Sequence, residues 1–307
     1  VYSYMGLPLS RNVESADVVV MGIPYDIGTT GRAGTRHGPQ GVRLASGNLR
    51  WEEKRWPWQF SVMDRLKVID YGDLEFKPSE SNSMIETVIW HVGALHAKGK
   101  KALCFRGEHF VTLPLLRAAH QHHGPVALVH FDAHTDTFHQ LDHFLGAVKS
   151  AAHWASYLVR DGFVDAEGSV QIGIRGNPRT LDWLDSSYEL GYEVITKEQY
   201  DEYGVERCLE IILERVGDKP LYITFDLDCL DATVAPGVAN LEPAIEGFMM
   251  PDVLKLLQGM RGRNIIGGDV VCLMPTKDAP NQITAHVANA LLFEMICLIA
   301  DNYRSTS

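Results

Sequence analysis

Acidic and histidine side chains alternate along one short stretch of this sequence. Asp132, His134 and Asp136 occupy every second position directly after the apolar run 126–131. Because residues i, i+2 and i+4 of an extended strand share one face, an extended backbone would aim all three side chains into one site. A lone aspartate at a strand end is usually a helix cap or a turn residue, but two carboxylates flanking an imidazole predict a metal site.

A second pair of carboxylates follows another apolar run far downstream. Asp226 and Asp228 come directly after the run 221–225. Carboxylates packed side by side oppose one another's ionisation unless cations compensate their charge. Oxygen donors with one imidazole suit divalent metal ions, and five such groups exceed the needs of a single ion. The two clusters therefore predict two divalent cations that share bridging carboxylates.

Another histidine lies at the end of a third predicted strand. His109 follows the apolar run 101–105 and precedes a helical pattern. Alone, it would be interpreted as a solvated loop residue. Its position at a strand end makes it a candidate nitrogen ligand for one metal, with His134 serving the other.

These side chains can meet only if the strands that carry them end at one edge of a sheet. Short apolar runs alternate with longer amphipathic stretches, which is typical of βαβ units and of a mainly parallel sheet covered by helices on both faces. The predicted strands are 17–22, 67–70, 101–105, 126–131, 170–173, 192–195, 221–225 and 265–271. The predicted helices are 83–98, 112–123, 204–216, 251–262 and 283–299. Ligands of such folds bind at the carboxyl ends of the strands.

Length, charge and cysteine content limit the kinds of protein and partner that the sequence fits. No linker divides the 307 residues, so we predict a single α/β domain spanning 1–307. The net charge of −11, from 28 basic and 39 acidic residues, argues against nucleic acid as a partner. We expect no membrane partner, because the sequence shows neither a signal peptide nor an apolar run of about 18 residues. Five cysteines without paired spacing favour a cytoplasmic location.

Five motifs of the chain are typical of a known family. They are 22–26 (GIPYD), 31–39 (GRAGTRHGP), 107–114 (GEHFVTLP), 132–137 (DAHTDT) and 224–231 (TFDLDCLD). In their order and spacing the chain resembles the ureohydrolase (arginase and agmatinase) family over about residues 18–300, and it is most similar to the agmatinase branch. The resemblance implies an arginase-like three-layer α/β/α fold with a mainly parallel eight-stranded sheet, assembled as trimers or hexamers.

The resemblance also implies a chemistry. All six expected metal ligands are present: His109, Asp132, His134, Asp136, Asp226 and Asp228. They imply a binuclear centre that hydrolyses small guanidine-type substrates to urea and an amine. In the implied mechanism a hydroxide shared by two cations attacks the guanidino carbon, and Asp136 orients it. Mn²⁺ is the ion that the resemblance implies, but Ni²⁺ suits the same donors, so we expect two ions of either kind per chain.

Several positions that the resemblance places around the substrate depart from the family pattern. Gly-Gly-Asp-His becomes RGEH at 106–109, and we expect Arg106 to fill part of the substrate pocket. The His-Gly-Thr-x-Phe pattern that normally follows Asp136 is missing. His153 is the candidate replacement for its proton-transferring histidine, the alternative being an exposed helix histidine. His139 and His143 are lesser candidates.

Two further departures concern groups that would touch the substrate. Gly-Thr-Gly-Thr-Pro becomes GVANL at 237–241, which makes Asn240 a candidate pocket residue. Glu-Val-x-Pro, whose glutamate pairs with the substrate guanidinium, becomes CLMP at 272–275. Cys272 therefore lacks the charge for a bidentate contact with a planar cation.

The six metal ligands are intact, but the residues expected around the substrate differ from the family pattern. We therefore predict a hydrolase of C–N bonds in linear amidines whose substrate differs from that of an agmatinase. We expect a small substituted guanidine or biguanide, such as metformin or dimethylguanidine, rather than agmatine. The chain could then resemble nickel-dependent guanidine hydrolases or one subunit of the two-subunit metformin hydrolases. Two alternatives stay open. One is an agmatinase that releases urea and putrescine, and the other is a non-catalytic subunit that supports ureohydrolase-like chains in a homo- or hetero-oligomer.

Overall fold

Eight parallel strands form one sheet at the centre of the molecule. The computed structural model describes residues 2–51, 54–138, 149–176, 181–243 and 246–303. The strands are β1 (Val18–Ile23), β2 (Val68–Asp73), β3 (Lys101–Arg106), β4 (Ala127–Phe131), β5 (Val170–Ile174), β6 (Glu193–Thr196), β7 (Leu221–Asp226) and β8 (Ile265–Val271). Their order across the sheet is β2-β1-β3-β8-β7-β4-β5-β6, and every neighbouring pair is parallel. The predicted eight-stranded sheet is confirmed.

The central strands are apolar on both faces because both faces are covered. Every residue of β4, with the sequence ALVHF, is buried. Alternate residues of one strand belong to two separate cores. Val18 and Val20 of β1 pack into the first core, whereas Val19 and Met21 pack into the second. Parallel sheets are buried in this way because their crossover helices lie against each face.

Helices supply the outer two layers. They are α1 (Gly38–Ala45), α2 (Val62–Arg65), α3 (Ser81–Ala97), α4 (Thr112–His123), α5 (Trp154–Arg160), α6 (Asp185–Leu190), α7 (Lys197–Val216), α8 (Met250–Gly259) and α9 (Ile283–Asn302). The first core takes residues from α1, α7, α8 and α9. The second takes residues from α3, α4 and α5. The helices thus lie on both sides of the sheet, which confirms the three-layer α/β/α fold.

The most apolar helix belongs to the interior. Among the helices of the described segments, only α9 is long and apolar enough to cross a membrane, with a mean hydropathy of 1.8. However, 83% of its apolar stretch is buried inside the molecule, where it packs against α1, α8 and β8. A helix that is apolar all round is typical of a protein core, so α9 is best described as a core helix.

The packing of α3 against α4 buries an ionisable histidine. His96 is 5% exposed, and its Nδ1 lies 3.1 Å from Nε2 of His123. Burial, followed by the charges of His123, His122 and Lys101, lowers the pKa of His96 from 6.5 to about 3. The folded protein therefore keeps this ring neutral at pH values where the unfolded chain protonates it.

We expect the free energy of unfolding to fall as the pH drops below about 6.5, because only the unfolded chain then binds the proton. The loss should approach about 1.4 kcal/mol per pH unit and continue towards the folded pKa. Urea unfolding at about pH 7.5 and 5.5 measures this effect. His96→Gln should show a weaker pH dependence than the wild type, and His37→Gln, at an exposed position, should match the wild type. Equal pH dependence in His96→Gln and the wild type would contradict the prediction.

Candidate metal centre

The predicted ligands meet where four neighbouring strands end. β3, β8, β7 and β4 are adjacent in the sheet. His109 lies shortly after β3, Asp132 follows β4 directly, and Asp226 is the last residue of β7. All three side chains are at most 3% exposed. Parallel strands end at the same edge, so residues that are distant in sequence share one buried site.

The loop after β4 brings its side chains together through a turn. The extended backbone that the alternating pattern predicts is wrong, because β4 ends at Phe131 and Asp136 has a φ of 53°. The backbone N–H of His134 donates to Asp132 Oδ1 at 2.7 Å, which folds the loop back on itself. A left-handed aspartate is uncommon, and such conformations concentrate at functional sites.

The ring of His109 is oriented by the residues on both of its sides. Its Nδ1 lies 2.8 Å from Asp132 Oδ2 and 3.3 Å from Asp226 Oδ2. Its Nε2 lies 2.9 Å from Thr224 Oγ1, and that hydroxyl donates to Asp269 at 2.6 Å. Thr224 therefore accepts the hydrogen of Nε2, so Nδ1 faces the carboxylates, where it can hold a proton or give that proton up and bind a cation.

His134 is held in the same manner from the opposite side. Its Nδ1 lies 3.2 Å from Asp132 Oδ1 and 3.4 Å from Asp228 Oδ2. Its Nε2 lies 3.1 Å from Glu242 Oε1, which can only accept a hydrogen bond when ionised. A carboxylate behind a histidine fixes the tautomer that metal binding needs. Glu242 was not among the residues predicted from the sequence.

The carboxylates are crowded enough to alter the ionisation of their neighbours. Burial, and next the charge of Asp226, raise the pKa of Asp228 to about 8. Burial and the charge of Asp132 raise the pKa of Asp136 well above its usual 3.8. Although burial lowers the pKa of His109, contacts with Asp132 and Asp226 raise it to about 10. The cluster thus stabilises positive charge at its centre, whether protons or cations carry it.

Two overlapping sets of donors fit a pair of divalent cations. The atoms of the first set come from His109, His130, Asp132 and Asp136, and those of the second come from Asp132, His134 and Asp228. Asp132 belongs to both, since its Oδ2 faces His109 and its Oδ1 faces His134. Mixed imidazole and carboxylate donors with one shared carboxylate suit two neighbouring divalent ions.

Two more residues at the cluster were not predicted. His130 Nε2 donates to Asp132 Oδ2 at 2.8 Å, because Gln171 donates to His130 Nδ1 at 3.0 Å. Trp154 Nε1 donates to Asp136 Oδ2 at 2.6 Å. His130 continues the alternating pattern by one step, so the sequence contained its signal. Nothing in the sequence pattern connects Trp154 with Asp136.

A cavity of about 480 Å³ opens onto the cluster. Two predicted pocket residues, Asn240 and Cys272, are among the residues that line it. Cys272 has a φ of 68°, and its backbone N–H donates to Gly107 at 2.8 Å. The turn at Cys272 therefore places a thiol on the cavity wall, beside the end of β8.

Arg106 and His153 do not line the cavity, which corrects the predictions that Arg106 fills part of it and that His153 serves there in proton transfer. Arg106 is 1% exposed and forms an ion pair with Asp269 within the sheet, so it does not fill the cavity. His153 is fully buried, with Nδ1 2.8 Å from Ser150 Oγ, and is therefore not an exposed helix histidine either. The cavity is lined instead by its neighbours Ala151 and Ala152. The lesser candidates at 139 and 143 lie outside the described residues.

Comparison with known proteins identifies the family. The arginase family profile matches residues 16–297. This chain belongs to the arginase family. An agmatinase from Edwardsiella ictaluri is 42% identical over 285 residues, which cover 93% of this chain and 88% of that protein.

Solved structures of the arginase family agree in fold. A hypothetical agmatinase from Burkholderia thailandensis has a TM-score of 0.88 at 36% identity, covering 98% of this chain and 91% of its own. The proclavaminate amidino hydrolase from Streptomyces clavuligerus has a TM-score of 0.90 at 32% identity, covering 98% of this chain and 97% of its own. The predicted arginase-like fold is therefore confirmed.

Membership of the arginase family settles the reaction class and corrects the predicted substrate. The chain is a hydrolase of C–N bonds in linear amidines, and the family consists of binuclear metal enzymes that act on guanidine compounds and are typically oligomeric. The prediction of a metformin- or dimethylguanidine-type substrate is wrong, because relatives 40 to 42% identical over nearly the whole chain are agmatinases. A carboxylate missing at Cys272 does not by itself exclude agmatine, since other segments also form the cavity wall.

Proposed function

We propose that this chain is an agmatinase that hydrolyses agmatine to urea and putrescine. The observation that carries the proposal is the pair of donor sets that share Asp132 at the edge of a cavity. The agmatinases at 40 to 42% identity support this substrate.

We propose six residues as the metal ligands: His109, Asp132, His134, Asp136, Asp226 and Asp228. When bound, two divalent cations supply Lewis acidity and lower the pKa of water enough to provide hydroxide near neutral pH. The chain itself supplies the orientation, because Thr224 and Glu242 hold the two histidine rings from behind. Either Mn²⁺ or Ni²⁺ suits these donors, and we propose two ions per chain.

Asp136 is the residue that we propose to move a proton. Its Oδ2 accepts the indole hydrogen bond of Trp154 and lies 3.4 Å from His109 Nδ1. From this position the carboxylate can take a proton from the attacking water and return it to the departing amine. One C–O bond forms and one C–N bond breaks, so urea and a protonated amine leave the site. His153 is not required for this transfer.

The test is metal analysis followed by measurement of urea release. Protein loaded separately with Mn²⁺ and Ni²⁺ should bind about two ions per chain and release urea from agmatine. 4-Guanidinobutyrate, which carries a carboxylate where agmatine has its aminomethyl group, is the matched comparison and should react at least about tenfold more slowly, because the agmatinase relatives predict a site that accepts the cationic end of agmatine. Chelation should remove activity and re-addition of metal should restore it. Metal-loaded protein that hydrolyses another guanidine but leaves agmatine intact would refute the proposal.

Five finer points remain predictions. We propose a homo-oligomer, which light scattering on the purified chain would measure, rather than an assembly that needs a second chain type. A single domain over 1–307, a cytoplasmic location and the absence of a nucleic-acid partner likewise rest on the sequence. The choice between Mn²⁺ and Ni²⁺ follows from the metal found in protein purified without added metal.

A further inference from the structure

One carboxylate on the cavity wall lies outside the proposed metal ligands and is partly open to solvent. The acidic residues that line the cavity within the described ranges are Glu108, Asp132, Asp136, Asp226, Asp228 and Glu242. Four of these are proposed ligands. Glu108 is 1% exposed, and its Oε2 accepts the backbone N–H of Phe110 at 2.7 Å. The side chain of Glu242, by contrast, is 21% exposed.

Glu242 is held at one oxygen only. Its Oε1 lies 3.1 Å from His134 Nε2, and the described parts of the chain offer it no other hydrogen bond or ion pair. Its Oε2 packs against Gly176, where an added Cβ would lie 2.6 Å from that oxygen. The absence of a side chain at position 176 therefore makes room for the carboxylate. One contact fixes Glu242 beside a proposed metal ligand, and its remaining acceptor sites stay available.

The backbone before Glu242 is tied to the segment that carries Cys272. Val238 pairs with Leu273 in a short antiparallel bridge, and Met274 N–H donates to Gly237 O at 2.7 Å. Arg32, which lines the cavity, donates to Val238 O at 2.7 Å. The two segments thus form one wall, on which Glu242 can provide a negative charge while Cys272 provides a thiol.

We infer that Glu242 binds the guanidinium group of the substrate and is the residue that selects for its positive charge. A carboxylate next to the metal ligands can accept N–H hydrogen bonds from the planar cation while the reacting carbon stays near His134. Charge-assisted hydrogen bonds to a guanidinium are stronger than those to a neutral planar group. The inference rests on the proposed function only in requiring a guanidinium substrate.

Binding of two small planar probes tests the role of Glu242 without catalysis. Guanidinium chloride carries the charge, and urea has nearly the same shape without it. We expect Glu242→Gln, loaded with metal, to weaken guanidinium binding by about 10- to 100-fold in calorimetric titration, with little change for urea. The glutamine oxygen can still accept from His134, so about two metal ions per chain should remain by elemental analysis. Glu246→Gln, the same substitution at an exposed position in the same loop, is the control and should bind both probes like the wild type.

Kinetics separate this inference from the proposed function. For Glu242→Gln we expect a KM for agmatine that rises by about the same factor, with kcat changed much less. Unchanged guanidinium binding in Glu242→Gln would overturn the inference, as would equal losses for guanidinium and urea, or loss of a metal ion that accounts for the weaker binding. If the wild type does not hydrolyse agmatine but guanidinium binding still depends on Glu242, the inference stands and the agmatinase proposal fails.

Discussion

Replacement of Asp228 by asparagine is expected to lower kcat/KM for agmatine on the order of a thousandfold or more and to reduce the metal content from two ions to about one per chain. Asp228 is 3% exposed, and its Oδ2 lies 3.4 Å from His134 Nδ1. Asparagine keeps the shape but brings an N–H₂ donor and no charge to a place that stabilises cations. Burial and the nearby Asp226 already raise the pKa of Asp228 to about 8, which shows how strongly this position depends on a counter-charge.

Urea release and elemental analysis of the same purified sample measure the effect of Asp228→Asn. Circular dichroism should show an unchanged fold, because the substitution conserves volume. Asp218→Asn is the matched control, since the side chain of Asp218 is fully exposed and precedes β7, whereas the cluster lies at the carboxyl end of that strand, and it should keep both metals and full turnover. An Asp228→Asn variant with two metals and wild-type turnover would exclude Asp228 as a ligand.

The second large effect is expected on stability, at the buried ion pair beneath the cavity. Arg106 and Asp269 are both fully buried as side chains, and Asp269 also accepts the hydroxyl hydrogens of Tyr222 and Thr224 at 2.6 Å. Arg106→Met leaves the Asp269 carboxylate without its counter-charge in the core of the sheet. We therefore expect the free energy of unfolding to drop by about 3 to 5 kcal/mol.

Urea unfolding of Arg106→Met gives this difference, and a second substitution tests its cause. Arg106→Met combined with Asp269→Asn removes both charges and should recover part of the loss, because no uncompensated carboxylate remains. Arg207→Met is the control. Its guanidinium forms an ion pair with Glu210 in which both side chains are exposed, and such pairs contribute about 0 to 1 kcal/mol. A single Arg106→Met variant as stable as the wild type would show that Asp269 finds another partner or a proton.

The strands could be predicted because their physical cause is local. Each is a short apolar run bounded by polar residues, as in ALVHF at β4 or LYITFD at β7, and each predicted strand overlaps an observed one. The position of the candidate centre followed from the same information, since the ends of parallel strands lie together. Its six proposed ligands could therefore be identified from the sequence.

Short helices and interrupted helices could not be predicted in the same way. α2 and α6 have four and six residues, which is too short for a helical repeat to emerge. α7 begins at Lys197 rather than at 204, and Gly204 interrupts it with a φ of 76°. A capping box formed by Thr196 and Gln199 marks the true start. That signal was present in the sequence and was overlooked.

Residues that hold the ligands in place could largely not be predicted from the sequence. Glu242 directly follows the altered stretch 237–241 and Trp154 begins α5, but only the fold places them against His134 and Asp136. The extended backbone assumed for Asp136 was wrong because its φ is set by contacts of the whole loop. The same limitation explains why the substrate was predicted wrongly. A linear comparison shows the carboxylate missing at Cys272, but it cannot show which other segment reaches the same wall.

The strand order also determines when the centre can form. β3 pairs with β8 and β7 pairs with β8, so the backbones of residues 101–106 and 221–226 both pair with residues 265–271 and not with each other. Such non-local pairing slows folding, because the closure of long loops precedes the contacts that compensate for it. During synthesis, the His109 side of the cluster therefore cannot be locked against the Asp226 side until β8 has left the ribosome. Metal capture by both donor sets would then be a late event, because Asp226, Asp228 and β8 all lie in the last third of the chain.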